Sequence, residues 1–178
     1  MERSLVSSLV LPLLLLSCLM FSAPSFGAKQ DDDASDAPAA SDGQNSKSVA
    51  SALAGDILMQ AMGLVGVAYR FGGSSPTSGF DCSGLIRYVF QRSIGMDLPR
   101  TAAEQARTGK AVNRDELQTG DIVFFNTRGF ANSHSGIYLG KGKFIHAPSS
   151  GKSISISDMN EAYWTTHFNG ARRVLRQQ

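Results

Sequence analysis

Cysteine is nearly absent, with Cys18 and Cys82 the two in 178 residues. Cys18 falls inside an N-terminal stretch that reads as an export signal, so the rest of the chain keeps one thiol. A disulfide within that remainder is excluded, even though exported chains are where disulfides persist. Histidine is scarce too, with three residues. Structural zinc sites pair their ligands roughly two to five residues apart. His134 and His146 are further apart than that and Cys82 lies far upstream, so neither a metal nor another cofactor is expected. No block of lysine and arginine occurs, and no nucleic-acid motif, so nucleic acid is not expected as a partner. No apolar run reaches the roughly 20 residues that cross a bilayer comfortably. No internal repeat is visible.

What is present divides the chain into three. Residues 1–27 carry Arg3, the apolar run "LVLPLLLLSCLMF" and the small-residue stretch "SAPSFGA". That order is the pattern of a secretory signal peptide. "LLSC", ending at Cys18, also resembles a bacterial lipobox, which would lipidate Cys18 and anchor the protein to a membrane. Polar residues usually follow such a cysteine, whereas "LMF" follows here. Residues 28–48 are acidic and poor in large apolar side chains, so they bury too little surface to offset ordering. A disordered acidic linker is expected there. Residues 49–178 form the domain. Charge separates along the same boundary: residues 28–46 hold five Asp and Lys29, and residues 47–178 hold 15 Lys and Arg against nine Asp and Glu. A basic domain favours an anionic partner, and in an exported chain an anionic wall polymer or membrane surface fits best.

Within the domain, Leu53, Ile57, Met59, Met62 and Val65 recur near helical spacing, with Gly63 and Gly66 ending the run. "YRFGGSSPTSGF" is a glycine- and serine-rich loop. Leu85, Ile86, Val89, Phe90 and Ile94 mark a second helix with one buried face. Thr101 and Glu104 have the spacing of a capping box. After Gly120 come short β-rich segments, "DIVFFN", "HSGIYLG", "KFIHAPS", "SISIS" and "ARRVLR", with "GKGK" as a hairpin turn. Helices followed by an antiparallel sheet predict an α+β fold in which the Cys82 helix packs on the sheet.

Cys82 sits in "GFDCSGLIRYVF", where the loop gives way to that helix. A lone buried cysteine usually behaves as a small hydrophobe. Its place in a first helical turn favours a thiolate, lowering the thiol pKa by roughly a unit. Full activation needs an imidazolium nearby. His134 and His146 lie on the two strands of one predicted hairpin, so pairing around "GKGK" brings them together as a base and its orienter. His167, near the C-terminus, reads as a surface or capping residue. Asp81 and Ser83 flank the thiol, either as helix caps or as substrate contacts, and Gly84 permits a close approach.

The phrases "YRFGG…GFDCSGLIRYVF", "LPRTAAEQ", "LQTGDIVFF", "HSGIYLGKGKFIHAPSSG" and "YWTTHFNGARRVL" occur in that order. Together they resemble the NlpC family of bacterial cell-wall cysteine peptidases, most closely its short murein endopeptidases of Gram-negative envelopes. The resemblance implies a papain-like core with its N-terminal nucleophile helix packed on an antiparallel sheet. It implies hydrolysis of peptidoglycan stem peptides, at D-γ-glutamyl-diaminopimelate bonds or at cross-links, by a protein of the periplasm or cell envelope. A monomer is expected. Cys82 matches the nucleophile, His134 the base and His146 the orienting third residue. Tyr69, Asp81, Ser83 and Arg100 match residues of the substrate cleft, and Gln105 a glutamine beyond it. Ser135 departs from the pattern, which usually has valine or another small apolar residue after the base. "NTRGFANS" resembles an insertion beside the cleft. The same thiol chemistry also suits an amidase or acyltransferase acting on another amide, and a wall-binding module without turnover is the non-enzymatic reading.

Overall fold

The computed structural model describes residues 42–175; the export signal, Cys18 and residues 28–41 of the acidic linker lie outside them. Helix α1, Asp42–Met62, begins inside the segment read as linker. Once a helix is nucleated, each added residue forms one more backbone bond, so the polar "DGQNSKS" extends it at little cost. Its inward face is Ile57 and Ala61, with Leu53 beside them and Leu64 in the turn that follows, while Met59 and Met62, and Val65 beyond the helix, are exposed. The sequence reading therefore placed the apolar stripe partly on the wrong side. Methionine and valine outranked an alanine in hydropathy, but Ala61 is the residue small enough to let α1 approach its neighbour. Among the described residues, no helix is long and apolar enough to cross a membrane.

A two-residue ladder, β1 at Ser74–Ser75 and β2 at Gly79–Phe80, closes the glycine-rich loop. It delivers the chain to helix α2, Cys82–Ile94. Asp81 caps the start of α2 by accepting from the Gly84 N–H at 2.7 Å. Gly95, at φ +69°, ends it by donating to the Gln91 carbonyl while Met96 N–H reaches the Phe90 carbonyl. The first of these is the 5→1 bond of an αL stop, for which the left-handed glycine is needed. Leu85, Ile86, Val89 and Phe90 are fully buried. Each such side chain contributes about 1.5–3 kcal/mol gross, which fixes the helix, and therefore Cys82, against the sheet. Helix α3, Ala102–Gln105, carries the expected capping box between Thr101 and Glu104.

The sheet has six antiparallel strands in the order β3-β8-β4-β5-β6-β7. These are β3 Lys110–Val112, β4 Ile122–Phe125, β5 His134–Gly140, β6 Lys143–His146, β7 Ser155–Asp158 and β8 Phe168–Arg173. The β5–β6 turn is Lys141-Gly142, with φ of +52° and +73°, the two left-handed positions a tight hairpin demands. Alternation along β4 shows why "IVFF" is buried throughout. Ile122 and Phe124 join the core under α1 and α2, while Val123 and Phe125 join a second core with Phe144, Met159 and Trp164. Trp164 comes from α4, Ala162–His167. Both sheet faces are thus covered, and the α+β architecture is the expected one.

Candidate active site

The loop and helix cap that precede Cys82 form one polar knot. Besides capping α2, Asp81 accepts from the Gly72 N–H at 3.0 Å and takes both arms of Arg100, at 3.0 and 2.6 Å. Ser83 donates to Asp81 and accepts from Arg100. Gln105 donates its amide to the carbonyls of Ser83 and Pro99. Gly84 has no room for a side chain, since a Cβ there would lie 2.1 Å from the Gly73 carbonyl oxygen. The close approach expected at Gly84 is real, and its partner is the glycine-rich loop. Cys82, Asp81, Ser83, Arg100 and Tyr69 all line one cleft of about 550 Å³. A separate hollow of about 650 Å³ beside α1 shares no residue with it and holds no cysteine or histidine.

The two histidines meet as the hairpin requires. His134 Nε2 lies 2.8 Å from His146 Nδ1, and His146 Nε2 lies 3.0 Å from the Ser157 hydroxyl. Both imidazoles are buried against Trp164, with His134 stacked on its indole. The sulfur of Cys82 faces the backbone N–H and the hydroxyl of Ser135, the residue after His134. His134 directly precedes Ser135 on β5, and because successive side chains of a strand leave on opposite faces, the imidazole stands toward Trp164. The proton order follows from counting donors. For Nδ1 of His134 to accept a proton, its Nε2–H must donate to His146 Nδ1. His146 then carries its own proton on Nε2, toward Ser157. Ser157 is thus the anchor of the chain, and nothing in "SISIS" distinguishes it from its neighbours. His167, by contrast, stays apart from this group, bonded to the Tyr163 carbonyl at the end of α4.

Electrostatics correct one expectation. The helix start was read as lowering the thiol pKa, yet the Cys82 thiol stands above its ordinary value. Burial is the main cause, and the Asp81 carboxylate is the second; N–H groups of Ser135 and Ser83 and the Ser135 hydroxyl oppose them. The carboxylate that caps the helix therefore works against the helix's own positive end. His134 is pushed down to about 4, by burial and then by the Arg128 charge. His146 is pushed down to about 3, by burial first and then by His134 and Lys152. At neutral pH the thiol is therefore protonated and both imidazoles are neutral.

Arg128 was not singled out by the sequence, although its segment was. It lies in the "NTRGFANS" loop, lines the cleft and donates to the Tyr69 hydroxyl at 3.2 Å. Its guanidinium has no carboxylate partner among the described residues, whereas that of Arg100 is spent on Asp81. Exposed Phe71 and Phe130 stand at the same cleft.

An antiparallel sheet with a cysteine at the start of the helix packed on it, and a histidine pair on the adjoining hairpin, defines a papain-like α+β domain. The chain belongs to the NlpC/P60 family, whose pattern matches residues 66–173. It is 46% identical over 114 residues to the murein DD-endopeptidase MepH of Escherichia coli (strain K12), covering 62% of this chain and 42% of that one. It is 46% identical over 118 residues to the gamma-DL-glutamyl hydrolase of Bacillus subtilis (strain 168), covering 66% of this chain and 28% of that one. Among solved structures, an NlpC/P60 family protein of Bacillus cereus superposes with a TM-score of 0.65 at 33% identity, covering 69% of this chain and 40% of that one. The match thus spans well under two thirds of each of these relatives' own length.

Proposed function

We propose that the domain hydrolyses an amide bond in peptidoglycan stem peptides or their cross-links, with Cys82 as nucleophile, His134 as general base and His146 as its orienter. The observation that carries this reading is the buried 2.8 Å contact between His134 and His146, on the strand whose next residue faces the Cys82 sulfur. The relatives named as murein endopeptidases and a glutamyl hydrolase support it.

The thiol is protonated at rest, so its proton passes to His134 Nδ1 as sulfur attacks the carbonyl carbon. The carbonyl electron pair moves onto oxygen, toward the Cys82 N–H at the helix start and the Tyr69 hydroxyl. Tyr69 accepts from Arg128, so its own proton is free to donate to that oxyanion. His134 returns the proton to the leaving amine, and water then cleaves the thioester. Asp81, Ser83 and Arg100 shape the cleft wall as an internally satisfied unit. The uncompensated cation facing the substrate is Arg128, which suits a carboxylate of the stem peptide. An extracytoplasmic location follows from this substrate, and a lipid anchor at Cys18 is the finer form of it.

The test is incubation of purified muropeptides with wild type and Cys82→Ala, with products identified by mass spectrometry. Cleaved stem peptide or cross-link from wild type alone is expected. Product from the alanine variant, or none from wild type, overturns the reading, and the product masses tell the two bond types apart.

A further inference from the structure

Ser135 is fully buried, and its hydroxyl has no hydrogen-bond partner in the resting site, sulfur included. Buried hydroxyls nearly always find a partner, and this one faces the Cys82 sulfur together with the backbone N–H of the same residue. The strand holds it there. Ser135 pairs with Phe124 across β4, on the sheet face that packs α2. A neutral thiol is a weak acceptor, so the hydroxyl is poorly satisfied at rest. A thiolate is a strong one, and a charge-assisted bond is roughly twice as strong as a neutral one.

We propose that the Ser135 hydroxyl is a positioning donor for the Cys82 thiolate, idle in the resting site and engaged when the thiol loses its proton. The S–H proton goes to His134 Nδ1, and Ser135 keeps its own throughout. The bond strengthens only as negative charge develops on sulfur, which is the condition for an interaction to lower a barrier rather than merely stabilise the enzyme. It also answers the electrostatics of the site. Burial and Asp81 both oppose the thiolate, and the neutral histidines supply no compensating charge before transfer. Donors from β5 therefore solvate an anion that is largely shielded from water.

The role rests on Cys82 as the nucleophile, but its test needs no wall substrate. The pH dependence of Cys82 alkylation by iodoacetamide is measured for wild type, Ser135→Ala, Ser135→Val and Ser135→Thr, with melting curves as the control for folding. Alanine and valine should alkylate about three- to tenfold more slowly below the midpoint of the profile, with that midpoint displaced to higher pH. Threonine, which keeps the hydroxyl, should restore the wild-type profile. Coincident profiles for wild type, alanine and valine overturn the proposal. So does an equal displacement in all three variants, which marks packing as the cause. Failure to cleave muropeptides with an intact alkylation difference instead refutes the peptidoglycan reading and leaves the donor role standing.

Discussion

Replacing Asp81 by asparagine should weaken the fold and at the same time make the thiol more reactive. Asparagine caps a helix about as well as aspartate, so the bond from the Gly84 N–H survives on the retained carbonyl oxygen. The second oxygen is the one that changes. Where Oδ2 accepts from the Gly72 N–H and from Arg100, an amide nitrogen presents protons to two donors. Losing one partner of a fully buried ion pair costs about 3–5 kcal/mol. The Arg100 side chain is 38% exposed, so water recovers part of that, leaving about 1–3 kcal/mol. The stranded Gly72 N–H adds about 1 kcal/mol. A total of about 2–4 kcal/mol lowers Tm by roughly 10 °C in a domain this size. The Asp81 charge also holds the thiol up, and its removal leaves Arg100 uncompensated beside the sulfur. Alkylation by iodoacetamide at pH 7 should therefore be faster in Asp81→Asn than in wild type. A variant that melts earlier but alkylates no faster would refute the assignment of the raised thiol to Asp81. Unchanged melting would refute the ion pair's structural weight.

Acid should destabilise the domain through its two buried histidines. Their folded pKa values lie below the unfolded value of about 6.5, at about 4 and about 3, so the unfolded state binds more protons. Their stability contribution is complete above about pH 6.5 and is lost as pH falls through about 4 for His134 and about 3 for His146, approaching about 1.4 kcal/mol per pH unit for each histidine. Urea midpoints equal at pH 7 and pH 4.5 would contradict this. Gly84→Ala must move the α2 start away from the Gly73 carbonyl and should cost about 1–3 kcal/mol or more. Gly55→Ala, in the middle of α1 with open space around it, should gain about 0.5–1 kcal/mol; thermal melts of the two variants test the contrast. Arg128→Ala should raise KM for muropeptides several-fold with kcat nearly unchanged and Tm within about 2 °C of wild type, as expected of an exposed surface change. A fall in kcat at constant KM would place Arg128 in the chemistry rather than in binding.

What the sequence revealed follows from how local each signal is. The α2 stripe, the Thr101 capping box and the Lys141-Gly142 turn depend on residues within one or two turns of each other, and all three stand where the pattern put them. The histidine pair was legible because a tight hairpin converts sequence separation directly into strand pairing. The buried face of α1 was not, since Ala61 is favoured over Met59 and Met62 by what lies opposite. Strand β3 was missed for a similar reason. Its residues Lys110 and Ala111 are exposed, and it exists through its ladder to β8. Ser157 and Arg128 gain meaning only from partners 11 and 59 residues away.

The sign of the thiol's shift shows the same limit at the level of chemistry. A cysteine in a first helical turn invites a thiolate, and that inference needs only the helix. The helix in turn needs a cap, and here the cap is a carboxylate adjoining the sulfur. Stability and nucleophile activation thus make opposite demands on Asp81. Arg100 eases the conflict by taking both carboxylate oxygens, which removes net charge without removing the cap. Burial keeps the remaining charge cost high, and it keeps the histidines neutral as well. A site in which all three groups rest uncharged avoids holding ions in a dry interior, and it leaves His134 able to take a proton at neutral pH. On the proposed mechanism, charge then has to form during attack. The donors aimed at the sulfur and the ordered chain from His134 through His146 to Ser157 are where the fold has prepared for it.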